Sequence, residues 1–385
     1  MNHTWRIAVL AALLGVAQET PVFSQSEQWL DYKVSDKINT YHWIEVSTNP
    51  PANVPLPKTL GKKPYFGRWV TPMDTNGCRW ICLDQSQKGG FYNRLYIDNN
   101  GNGRLDDKTP ITASHSDSSI TYDPIRLTLK GDDGPVTYHL KLVVYSYSDE
   151  NIQMLSSSAG YYSGKVDFGG KKYHIQLIDQ NVNGVFNDNN PSVNADKIIV
   201  STTKDEDVFL GRFVEVDKRY FHIEPARDGA FVKVRVADDA VEGTVKVPET
   251  ITSLSVVGEN GQFNRTPVKG EFKIPVGKYK INEWTIARKD SEGANWEITG
   301  ARPNDSGIFV LTADKPATVQ IGEPIRASLE ANQSEGRSIR FNILFRGTHG
   351  ESIYFSKNNS TPKGPKLLLS DSQGTIKYTN TFEFG

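Results

Sequence analysis

Two stretches of the chain set oxygen-bearing side chains at matching intervals: LYIDNNGNGRLDDKTP at 95–110 and QLIDQNVNGVFNDNNP at 176–191. Aligned on Asp98 and Asp179 as position 1, they carry Asn100 or Asn181 at position 3 and Asn102 or Asn183 at position 5. Gly103 or Gly184 follows at position 6, Arg104 or Val185 at 7, and an apolar Leu105 or Phe186 at 8. Asp106 or Asn187 stands at position 9, Asp107 or Asp188 at 10, and Pro110 or Pro191 at 13. This is the chemistry of a hard cation. Calcium takes several oxygens, and a tight loop can aim alternate side chains at one centre. Glycine at position 6 allows the sharp turn that brings the position-7 carbonyl inward. The side chains of Arg104 and Val185 are then free to point away. Position 8 can anchor the loop, and either Asp106 at position 9 or Asp107 and Asp188 at position 10 can close the shell.

A polar hairpin turn accounts for part of the pattern, because Asn-Gly is a favoured turn dipeptide. It does not account for Asp at 1, Asn at 3 and 5, Gly at 6 and Asp at 10 occurring together twice. The spacing D-x-N-x-N-G-x-x-D resembles EF-hand-type calcium loops, most of all the shorter variety held between β-strands, as in integrin-type propeller blades. The match covers Asp98 to Asp107 and Asp179 to Asp188 only. It lacks the bidentate Glu, since position 12 is Thr109 or Asn190, and the second loop has Asn187 where the shorter pattern has Asp. The flanks FYNRLYI and KKYHIQL read as strands, so no helix–loop–helix switch is expected. The resemblance implies structural calcium. So few carboxylates per loop point to modest affinity, roughly 10⁻⁴–10⁻³ M, as in extracellular modules.

Strands must position these loops. Alternating or β-branched runs such as CRWICLD, IRLTLKG, TYHLKLVVYSY, DKIIVS, AFVKVRVA and RFNILFRG recur between Gly, Asn, Asp and Pro clusters. No long stretch of helical period competes. The expected class is all-β, with two or three antiparallel β-sandwich-like domains in tandem. Residues 25–65 include the proline-rich 47–64, an arm or linker. Residues 66–204 form a β domain with both loops, ending near the charged TTKDEDV. Residues 205–322 read as a sandwich, prealbumin-like or immunoglobulin-like. There FKIPVGKYKI resembles the strand–turn–strand of prealbumin-like modules, which implies fold and no activity. Residues 323–385 form a last β segment, either an incomplete sheet or one that ends on its edge strand.

At the N-terminus Arg6 precedes an apolar run, IAVLAALLGVA, with small residues beyond it. This order fits a signal peptide over 1–24, cleaved after Ala17 or Ser24, and is too short to span a bilayer. A buried N-terminal helix is the alternative. The mature chain is therefore expected in the periplasm or outside the cell. No membrane span and no lipoprotein cysteine are expected. Lys and Arg number 44 against 45 Asp and Glu, for a net charge of −1. Nucleic-acid binding has no evident electrostatic source.

Cys78 and Cys82 are the only cysteines. Four residues apart on a strand they stand about 13 Å apart, too far to pair unless the chain turns. They read as buried residues on one face with Trp80. His139, His174 and His222 recur in Tyr/His strands and read as solvent-face positions. H-E-x-x-H, G-x-S-x-G and Walker patterns are missing. Asp132 with Asp133, and Asp238 with Asp239, read as turns. These observations point to a non-enzymatic binding or scaffold module, with a glycan or an envelope protein as partner. The rival is a carbohydrate-active protein using Trp43, Trp69, Trp80, Trp284 or Trp296 against sugar rings, or two distant carboxylates as in glycosidases.

Overall fold

In this computed structural model the described residues are 26–87, 90–113, 119–148, 151–190, 195–202, 205–333 and 338–383. The expected signal peptide, 1–24, lies outside them. The chain is all-β and sandwich-like. Its one helical element among the described residues is a single 3-10 turn, Asp305–Gly307. Among the described residues no helix is long and apolar enough to cross a membrane. Strand pairs are antiparallel apart from Glu242–Lys246 with Ala317–Thr318.

Four sheets enclose the first core, which runs from Leu30 to Val232. Alternation builds it. In Ser119–Lys130, Ile120, Tyr122, Ile125, Leu127 and Leu129 turn inward and the residues between them face water. The extra residue between Tyr122 and Ile125, opposite Leu140 to Leu142 of the paired strand, is a bulge that accounts for the odd spacing. Trp69, 1% exposed, stacks on Tyr138 with ring centroids 5.4 Å apart. Burying such side chains contributes about 1.5–3 kcal/mol each.

The N-terminal arm is woven into this module. Gln28–Trp29 pairs with Phe231–Val236, Asp31–Val34 with Gly160–Asp167, His42–Ile44 with Asn151–Ser158, and Val46–Ser47 with Tyr65–Val70. The proline-rich stretch is packed as well: Val54 and Leu56 cover a small cluster of Phe66, Cys82, Tyr96 and Leu105. Nor does the charged stretch at 202–208 interrupt the sheet. Lys197–Ser201 pairs with Asp205–Phe209, and the first core continues beyond them.

The second core, Phe213 to Ile353, lies between a three-stranded and an eight-stranded sheet. The strand–turn–strand of FKIPVGKYKI spans it. Glu271–Pro275 belongs to the smaller sheet and Gly277–Lys289 to the larger, so the turn crosses the sandwich rather than closing a hairpin. The last segment contributes the edge of the larger sheet and a separate hairpin, Lys366–Ser370 with Ile376–Thr381.

Candidate metal centre

The first loop joins strands Arg94–Ile97 and Ile111–Thr112, and the second joins Lys172–Ile178 and Lys197–Ser201. Their backbones follow one path. Positions 4 and 6 have positive φ in both: 76° at Gly101 and 74° at Gly103, 58° at Val182 and 89° at Gly184. Glycine meets this need freely. Val182, β-branched, adopts it at a cost of about 1–3 kcal/mol. Its burial in the first core and the bond from Trp69 Nε1 to its carbonyl, 2.6 Å, hold it there.

The hydrogen bonds repeat as well. Asp98 Oδ2 accepts the Gly103 N–H at 2.8 Å, and Asp179 Oδ2 accepts the Gly184 N–H at 2.7 Å. The Oδ1 atoms accept the position-5 N–H, 3.1 Å at Asn102 and 3.2 Å at Asn183. Asn102 and Asn183 accept the position-7 N–H at 3.1 and 2.9 Å. Each donates Nδ2 to the position-10 carboxylate, Asp107 or Asp188, at 2.7 Å. Asn181 Nδ2 also reaches Asp188 Oδ2, at 2.8 Å.

Of the two closing positions expected, the structure turns position 10 inward and position 9 outward. Asp106 pairs with Arg104 at 2.6 Å on the loop's outside, and Asn187 is exposed. Asp106 and Asn187 therefore do not join the other oxygens. The carbonyl-bearing residues differ in setting, since the Arg104 side chain is half exposed and Val185 is buried. The position-8 anchors are sealed, Leu105 in the small cluster and Phe186 in the first core. The Pro55 carbonyl accepts the N–H groups of Leu105 and Asp106 at 2.9 and 3.2 Å, so the proline-rich stretch straps the first loop down.

Charge separates the copies. In the first loop the Lys108 ammonium sits among the converging oxygens. It lies 2.8 Å from Asn100 Oδ1, 3.1 Å from Asn102 Oδ1, 2.8 Å from Asp107 Oδ1 and 3.9 Å from Asp98 Oδ1. Its side chain is only 7% exposed. The bond from Lys108, then that from Asn102, holds the Asp107 carboxyl below its usual range. Arg79 adds a second cation. It binds Asp74 at 2.7 Å and donates to the carbonyls of Asp98, 3.1 Å, and Thr128, 2.6 Å.

The second loop has carboxylates where the first has cations. Asp196, from the segment entering the next strand, accepts the N–H of Gln180 at 3.0 Å and of Asp188 at 2.9 Å. Asp179, Asp188 and Asp196 thus share one neighbourhood. No lysine or arginine among the described residues pairs with Asp179 or Asp196. Burial pushes the Asp179 carboxyl up to about 6, against bonds from Gly184, Tyr138 and the loop amides that lower it. Burial, and then the Asp179 charge, raises Asp196 well above the carboxylate range. Tyr138 donates to Asp179 at 2.8 Å.

Among the described residues no three His, Cys, Asp or Glu side chains are grouped as a metal cage. A cation in the second loop would rely on amide and carbonyl oxygens from Asn181, Asn183 and Val185 beside the carboxylates. These are hard oxygen donors, the class that suits calcium. In the first loop that place is taken by Lys108. Sequence reading missed both Lys108 and Asp196. The first was visible as a lysine directly after the position-10 aspartate, where the second loop has Asn189. The second stands outside the motif, and only the fold returns it to the loop.

The remaining candidates scatter. His139, His174 and His222 lie on three different sheets. His222 is buried rather than solvent-facing, with Nε2 2.6 Å from Asp239 Oδ1. Cys78 and Cys82 are both free, and Cys82 packs with Trp80. Trp69 and Trp284 are core residues, while Trp43 is exposed on an edge strand. No known family model, curated protein or solved structure matches the chain.

Proposed function

We propose that the chain is an exported, non-enzymatic β-sandwich protein that serves as a binding or scaffold module. In this reading the second loop takes a structural calcium ion, and the first fills the same role with Lys108. The observation that carries the reading is that the buried carboxylates of the second loop have no cationic partner among the described residues. Buried carboxylates need a partner, and an unpaired buried charge costs several kcal/mol. Asp98 has Lys108 and Arg79 nearby, whereas Asp179 and Asp196 have only neutral donors among the described residues. Calcium would supply the missing charge to a loop already bent around its oxygens. Asp179, Asn181, Asn183, Val185 and Asp188 would hold it, with Asp196 steadying the loop's ends. Export supports the same reading, because extracellular calcium is abundant enough for a site of modest affinity.

The test is isothermal titration and thermal unfolding of the full chain, with calcium or with chelator. Wild type should release or absorb heat on titration and unfold at higher temperature with calcium. Asp179→Asn should lose both effects. A wild-type protein indifferent to calcium at 10 mM rules the reading out.

A further inference from the structure

The strand Arg326–Gln333 is the open edge of the eight-stranded sheet. It pairs with Ile339–Arg346 on one side and, among the described residues, with no strand on the other. Register fixes its faces. Ala327, Leu329 and Ala331 stand opposite Phe345, Ile343 and Phe341, so one face of this ribbon is apolar throughout. Arg326, Ser328, Glu330 and Asn332 stand on the other face, opposite Arg346, Leu344, Asn342 and Arg340. The apolar face is poorly covered. Leu329 is 53% exposed, and Phe341, Ile343 and Phe345 are only half-buried. An open, exposed edge carrying an apolar stripe is a template for pairing with another strand.

We infer that this edge pairs with the same edge of a second copy, antiparallel about a twofold axis at Ser328. The strand's own sequence argues for that occupant. A twofold at Ser328 sets Arg326 against Glu330 of the other copy, and Glu330 against its Arg326. It sets Ala327 against Leu329, and Ile325 against Ala331, on the apolar face. Opposite charges and apolar pairs directly across an antiparallel ladder each stabilise it. Neither Arg326 nor Glu330 has a hydrogen-bonding or charged partner among the described residues, so both are available. A twofold at Ala327 or Leu329 also keeps apolar residues opposed but leaves Arg326 and Glu330 without each other, so the charge pair favours Ser328. A twofold between Leu329 and Glu330 puts apolar against polar residues along the strand, and one at Glu330 opposes two carboxylates. The contact is isologous and closes at a dimer.

Sedimentation velocity and light scattering over a range of concentrations read the association, and Ser328→Cys reads the register. Residues at the twofold have Cα atoms about 4.5–5.5 Å apart, within disulfide range. Mild oxidation should therefore yield a covalent dimer of S328C that wild type, with Cys78 half-buried and Cys82 buried, does not form. Arg326→Glu replaces two attractive pairs by two repulsive ones and should weaken the dimer about tenfold or more. Arg326→Glu with Glu330→Arg should restore it. A protein that stays monomeric and leaves S328C uncrosslinked overturns the inference. So does a dimer indifferent to Arg326→Glu.

Discussion

Replacing Lys108 by methionine keeps the length of the side chain and removes its charge. In the structure the ammonium meets Asn100 Oδ1 and Asp107 Oδ1 at 2.8 Å, Asn102 Oδ1 at 3.1 Å and, more distantly, Asp98 Oδ1 at 3.9 Å. A hydrogen bond to a charged group contributes about 1.5–3 kcal/mol. Breaking a fully buried ion pair costs about 3–5 kcal/mol. Two features lower the cost here. Asp107 is 39% exposed and can turn to water, and Asp98 keeps its backbone N–H donors and the nearby Arg79. The expected loss in chelator is therefore about 2–3 kcal/mol.

The informative measurement is what calcium returns. With Lys108 gone, the first loop presents the same oxygens at positions 1, 3, 5 and 10 as the second and should accept the ion, though Arg79 stays beside Asp98. At 10 mM calcium and a dissociation constant of roughly 10⁻⁴–10⁻³ M, binding returns about 1.4–2.7 kcal/mol. For a module of this size that is a rise of several degrees in melting temperature. The assay is thermal unfolding followed by tryptophan fluorescence, in calcium and in chelator, for Lys108→Met on an Asp179→Asn background that silences the second loop. The double variant should melt low in chelator and recover most of the loss in calcium, while Asp179→Asn alone should ignore calcium. A double variant that is destabilised and gains nothing from calcium refutes the equivalence of the two loops. One as stable as its parent in chelator refutes the charge argument.

Burial pushes the Asp179 carboxyl up to about 6, above the ordinary carboxylate range, so the folded state holds its proton more tightly than the unfolded one. Without calcium, its contribution to stability is fully present below pH 4 and is lost as pH rises to about 6, by roughly 3 kcal/mol. Urea unfolding of wild type against Asp179→Asn at pH 4.5 and 7.5 in chelator isolates this slope. A difference that grows in wild type's favour towards pH 7.5 contradicts it. Phe186→Ala empties the anchor of the second loop and should cost about 3–5 kcal/mol. It should also weaken the calcium response, because position 8 fixes the loop to the first core. An unchanged melting temperature in chelator would refute the anchoring role.

The strands were readable because a half-buried sheet imposes a period of two, as in Ser119–Lys130, and because turns need Gly, Asn, Asp and Pro. The loops were readable for a similar reason. Position 6 needs a backbone conformation that glycine adopts freely, and the short oxygen-bearing side chains fall at fixed offsets from it. Domain limits were less legible. The proline-rich 47–64 has the composition of a linker, yet Pro55 binds the first loop and Val54 with Leu56 seals a cluster. The acidic 202–208 looks like a break, but it continues a sheet. Composition reports solvent exposure of a segment; it does not report which strand lies beside it. The arm strands at 28–47 are too short to carry a periodic signal and gain their place by long-range pairing.

The two loops separate backbone from charge. Their paths and internal hydrogen bonds agree position by position, down to the positive φ that Val182 accepts where the first loop has Gly101. A motif therefore specifies the cradle without specifying what fills it. In the first copy Asp98 and Asp107 meet Lys108, and Arg79, itself paired with Asp74, stands beside Asp98. In the second, Asp196 joins Asp179 and Asp188 from outside the motif, and no cation among the described residues answers them. One lysine and one aspartate, neither inside the matched Asp98–Asp107 and Asp179–Asp188, thus set the charge of each copy, and on the proposed reading they separate the copy that stands alone from the one that takes an ion. On the proposed reading, a self-sufficient loop beside a calcium-responsive one would give the module a fold that forms without the ion and tightens when it binds.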